Sequence, residues 1–152
     1  MFKTFPKFAL IVIMMQVVTY YFAGIIAQVL LGASQFYPPS PKAISYLRDP
    51  HDPGLQLWIL PAQALRGLLF ALVLFPFRKR ILELGALRGG LLIAGFVFIA
   101  GYVAASGGMI EHFVYFKPAD YPVKFAAITF GEILIQTIIM GPSVVYFDNR
   151  LG

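Results

Sequence analysis

Cysteine is missing from this chain, which rules out disulfides, thiolate metal sites and a cysteine nucleophile and leaves the redox compartment unread. Charge is scarce. Only 12% of the 152 residues are Asp, Glu, Lys or Arg, too few to clothe a water-facing globule of this size. Histidine occurs twice, as His51 and His112, and neither lies deep in an apolar run, so a buried bis-histidine haem is not expected. HExxH, GxSxG and Walker sequences are absent, and no catalytic residue is assigned. No basic stripe with interleaved aromatics occurs, so the net charge of +5 is not read as a nucleic-acid footprint. Asp49, His51 and Asp52 stand close together, but without a further ligand nearby and among prolines they read as a solvated turn. No metal and no cofactor is expected.

What is present is apolar. The hydrophobic fraction is 59%, with 15 Phe and 8 Tyr, and the mean hydropathy is +0.78. Four stretches, 8–31, 56–77, 89–106 and 123–147, are long or nearly long enough to span a bilayer as helices. The first is too long for the apolar core of a signal peptide and reads as a retained helix. These stretches define an all-α fold: a polytopic membrane protein, a four-transmembrane-helix bundle forming a single membrane domain over 1–152. Loops 32–55 and 107–122 lie on one side. Five prolines, Pro38, Pro39, Pro41, Pro50 and Pro53, break up the first of these loops. Within the first span Gly24, Gln28 and Gly32 recur every four residues and share a face suited to close helix approach. The third span is rich in Gly and Ala, and Gly141–Pro142 is expected to kink or loosen the last turns of the fourth.

The basic residues orient the bundle. Lys3, Lys7, Arg78, Lys79, Arg80, Arg88 and Arg150 fall on one side; Lys42, Arg48, Lys117 and Lys124 fall on the other. The richer side is the cytoplasmic one, so both termini are expected there, in a bacterial inner (cytoplasmic) membrane with 32–55 and 107–122 extracytoplasmic.

One residue resists this pattern. Arg66 sits near the middle of the second span, where a charge costs roughly 2.5–3.5 kcal/mol on insertion scales. Glu132 occupies the fourth span, which runs in the same direction. Counted from the expected span starts, both lie about 14 Å deep, so the sequence predicts a buried Arg66–Glu132 pair. Gln63 shares a face with Arg66, and Thr129 and Gln136 share one with Glu132. These three are expected to take the remaining hydrogen bonds. Glu111 is the rival acid for Arg66, and Glu111–His112 is a candidate polar pair at the outer surface.

GLLFALVLFPF after Arg66, GGMIEHFVY, and Glu132 with Gln136 together resemble small four-span bacterial inner-membrane proteins of unassigned role. The resemblance covers about the C-terminal two thirds of the chain and supplies no chemistry. The functional expectation is an accessory or scaffold subunit of a membrane assembly, with membrane lipids and a larger complex or homo-oligomer as partners and no nucleic acid. The alternatives are a small-solute, lipid or proton-coupled transporter using the polar pair, and a lipid-processing membrane enzyme.

Overall fold

A computed structural model describes residues 4–44, 47–49, 51–104 and 123–151. The described residues are helical, without strands. α1 (Phe5–Val29) is followed by a single 3₁₀ turn, Ala33–Phe36. α2 (Pro53–Leu74) runs on through a 3₁₀ turn (Phe75–Phe77) into the short α3 (Arg78–Glu83). α4 (Gly85–Phe98) continues as a π-helical segment (Ile99–Val103), and α5 (Val123–Leu151) closes the chain. Four continuous helical stretches, Phe5–Val29, Pro53–Glu83, Gly85–Val103 and Val123–Leu151, are long and apolar enough to cross a membrane.

Local chemistry explains several of the boundaries. Asp52 caps α2, its side chain accepting from the Gly54 backbone N–H at 2.8 Å, and Pro53 follows where a missing donor costs nothing. Because α2 begins at Pro53, Pro61 lies inside the helix and deprives the Leu57 carbonyl of its usual donor. Arg78–Arg88 reads from sequence as a connection, yet most of it is helical. The reversal is compressed into Leu84–Gly85, where Gly85 takes φ 77°, a conformation open to glycine. α5 passes without interruption through Gly141–Pro142. It also includes Asp148, which the sequence places in a polar tail.

α1 shows how the bundle is sorted. Leu10, Met14, Val18, Phe22, Ile25 and Val29 form an exposed apolar stripe, while Phe8, Val12, Gln16, Thr19, Ala23 and Ala27 face inward. Around the bundle the order is α2, α1, α5, α4. α1 packs on both α2 and α5, and α4 packs on α5, whereas α2 and α4 barely touch. The α4–α5 crossing is very close: a Cβ on Gly141 would lie 2.0 Å from the Gly90 carbonyl oxygen, and one on Gly90 would lie 2.5 Å from Cα of Pro142. Backbone-to-backbone approach of this kind requires glycine on both helices.

The apolar interior has two parts. The larger lies toward the termini and joins Phe8, Val12, Phe70, Ile93, Met140 and Val144. The smaller lies at the loop end, where the 3₁₀ turn after α1 brings Phe36 against Phe125 at 5.3 Å between ring centroids, with Ala27 and Ile44 beside them.

Candidate polar site between the spans

The polar residues of the spans fall into two groups. The first group joins helices. Gln16 Nε2 donates to Gln63 Oε1 at 2.9 Å, tying α1 to α2 inside the bundle. Tyr102 donates its hydroxyl to the Ala126 carbonyl at 3.2 Å, linking the π segment to α5. Arg78 grips Asp148 with two parallel bonds, Nε to Oδ2 at 2.7 Å and Nη2 to Oδ1 at 2.9 Å. Asp148 is 1% exposed and the Arg78 side chain 21%, so this fork is a largely desolvated ion pair that locks α5 to the start of α3.

The second group joins nothing among the described residues. Arg66 is exposed and Glu132 half-buried, and neither makes a hydrogen bond or ion pair among the described residues. The expected Arg66–Glu132 ion pair is not formed. Register is the reason. Arg66 lines a small cleft together with Gln16, Phe70, Val97, Gly101, Ile133 and Gln136, so on α5 it stands level with the turn from Ile133 to Gln136. Glu132 precedes that turn, toward the loop end, and its Oε1 would be 3.7 Å from a Cβ placed on Gly24. The early start of α2 contributes to the offset: it begins at Pro53, three residues before the expected 56, which carries Arg66 about 4.5 Å further along its helix than expected. Tyr20, on α1 between Gln16 and Gly24, feels the charge of both residues.

The remaining expected site residues divide between these groups. Gln63 is committed to Gln16. Thr129 is turned onto its own helix, donating to the Phe125 carbonyl at 3.0 Å. Gln136 is buried and lines the cleft. Glu111 and His112 lie outside the described residues. In the first loop the Asp49 side chain accepts from the His51 backbone N–H, and Asp52 pairs with Arg48 while capping α2. Among the described residues no group of three or more His, Cys, Asp and Glu comes together to hold a metal.

Sequence reasoning passed over Gln16, although a signal exists: Gln16, Tyr20, Gly24 and Gln28 recur every four residues, and the polar stripe extends two turns before Gly24. Asp148 carried a signal too, as an acid just beyond an apolar span on the side where the basic cluster gathers.

The cleft measures about 20 Å³, room for one water-sized group. Arg66, Gln136 and Gln16 are its polar lining residues, and Gln16 Oε1 is a buried acceptor with no partner among the described residues. The π segment brings Gly101 to the wall, where the absence of a side chain leaves space beside Phe70. The fold and site together define an all-helical four-helix bundle, apolar enough to cross a membrane, with a polar cleft between its helices. Comparison with protein-family models, curated proteins and solved structures finds no match.

Proposed function

We propose that this chain is a multi-pass protein of the bacterial cytoplasmic membrane, with both termini cytoplasmic, and that it serves as an accessory or scaffold subunit of a membrane assembly. The carrying observation is the use made of buried polar groups. Gln16–Gln63, Tyr102–Ala126 and Arg78–Asp148 each fix one helix to another. Chemistry spent on holding helices in register suits a rigid building block. Purification in mild detergent tests the reading. A larger complex or homo-oligomer is expected, and Asp148→Ala is expected to release it. A monodisperse monomer with no co-purifying protein, in detergent and in nanodiscs alike, overturns it.

A transport reading draws on Arg66 and Glu132, which have no partner among the described residues, though the cleft itself holds only a water-sized group. It requires solute or proton flux in liposomes that Glu132→Gln abolishes while the helices persist.

A further inference from the structure

The polar groups that clamp no helices form a set of their own. Among the described residues Arg66 and Glu132 have no hydrogen-bond or ion-pair partner, and Gln16, a lining residue 1% exposed, keeps a buried acceptor without one. Arg66 and Gln16 line the cleft where the bundle is least closed, and Glu132 adjoins Ile133, which lines it too; α2 and α4 barely touch there and meet through Phe70, whose ring stands edge-on to Phe96 at 6.0 Å. Arg66 and Phe70 lie one turn apart on α2, so Phe70 closes the cleft on the termini side and Arg66 stands toward the loop end.

The order of the charges is specific. Both helices that carry them start at the loop end, and helical side chains lean toward the helix start, so both heads reach toward that surface. Glu132 is the outer of the two, because Ile133 and Gln136, the α5 residues that line the cleft with Arg66, both follow it along the helix. Trp58, exposed on α2, lies eight residues before Arg66, about 12 Å toward the same surface, at a position suited to a membrane interface. A ligand matching this set carries an anionic oxygen group deeper and a hydrogen-bearing cation further out. A lipid entering from the loop-end leaflet presents this order: its phosphate lies next to the acyl chains, and its amine lies beyond.

We infer that the mouth of the cleft between α2 and α4, rather than its water-sized interior, receives an amino-phosphate zwitterion, the phosphate on exposed Arg66 and the primary ammonium on half-buried Glu132, with the depth order favouring the headgroup of an aminophospholipid over the free compound. A guanidinium fork matches phosphate oxygens. A carboxylate accepts from a primary ammonium but finds no N–H on a quaternary one. This inference uses none of the helix-clamping contacts and stands apart from the assembly reading.

The test uses delipidated full-length protein in detergent and follows its thermal midpoint with four probes: short-chain phosphatidylethanolamine, phosphatidylcholine, phosphatidylglycerol, and phosphoethanolamine without tails. Phosphatidylethanolamine is expected to raise the midpoint most. Arg66→Gln should weaken its apparent affinity by about tenfold to a hundredfold, and Glu132→Gln should lower it to that of phosphatidylcholine. Equal stabilisation by phosphatidylcholine or phosphatidylglycerol overturns the proposal, as does unchanged affinity in both variants. Stabilisation by phosphoethanolamine equal to that by the lipid supports the zwitterion and overturns the lipid source. If Arg66→Gln does not fold, Arg66→Lys keeps the charge and loses the fork. A partial weakening then supports the proposal, and none overturns it.

Discussion

The two ends of the bundle solve the same problem differently. Toward the termini, a large apolar cluster, a glycine-to-glycine helix crossing and the Arg78–Asp148 fork close the structure. Every charge drawn inward there is answered inside the chain. Toward the loops, a small cluster holds a folded-back loop on α5, while Arg66, at a cleft, and Glu132 have no partner among the described residues. A charge paired within the chain fixes which helices touch. An unpaired charge at similar depth keeps its full desolvation demand and directs it outward. The termini end is therefore built to hold, and the loop end to receive.

This contrast can be broken by substitution. Gly141→Val should have the largest effect, at least about 3 kcal/mol, because the obstacle is the backbone of Gly90 rather than a flexible side chain. Yield of folded, monodisperse protein and denaturation in detergent would report it, and wild-type behaviour would mean that the α4–α5 crossing is looser than described. Next comes Arg78→Ala, which leaves the Asp148 carboxylate buried and uncompensated at a cost of about 2–4 kcal/mol. Asp148→Asn should cost less, because the partly exposed Arg78 regains water.

At the level of the cleft the numbers fall. A double-mutant cycle of Gln16→Leu with Gln63→Leu should give a coupling of about 0.6–1.7 kcal/mol, the range for hydrogen bonds between spanning helices. The matching cycle of Arg66→Leu with Glu132→Leu should give less than about 0.5 kcal/mol, since no ion pair joins the two. A coupling above about 1 kcal/mol there would restore a direct pair and erase the contrast between the ends.

The smallest effect belongs to the loop end. The Arg48 side chain first, then the Gly54 backbone N–H, hold the Asp52 carboxyl below the ordinary carboxylate range. A depressed carboxylate stabilises above its unfolded pKa and loses that contribution as pH falls through the lowered value. The protection of the Gly54 amide, its exchange rate relative to an unstructured amide at the same pH, should therefore fall in acid while the amides of α5 near Asp148 stay protected. Simultaneous loss at both places would argue against local fraying of α2.

Some features were legible because they depend on composition along one helix. The exposed stripe of α1 follows from its periodicity, and the polar face of Gln63, Arg66 and Gly67 from theirs. The small residues of the third span, Gly90 among them, foretold close packing, whereas Gly141–Pro142, expected to kink or loosen its helix, instead forms the other side of the crossing in an unbroken one. The partner of Arg66 was another matter. Its prediction assumed a common starting level for two helices, and three extra residues at the start of α2 shift that level by most of a turn. Asp148 was misplaced because apolarity ends before the helix does. Hydropathy marks where the spans thin out, whereas the helix continues as long as its backbone bonds and the Arg78 fork sustain it.

By itself the sequence determined the number of long apolar helices, the scarcity of charge and the residues that had to be exceptional. Apolar length and periodicity are properties of single segments, and single segments can be read in isolation. Tertiary structure alone decided which exceptional residues meet. Contacts between helices turn on offsets of one turn, set jointly by where each helix starts, how closely glycines let backbones approach and which loop folds back. Arg78 finds Asp148 through those offsets, and Arg66, level with the turn from Ile133 to Gln136, is left facing the cleft.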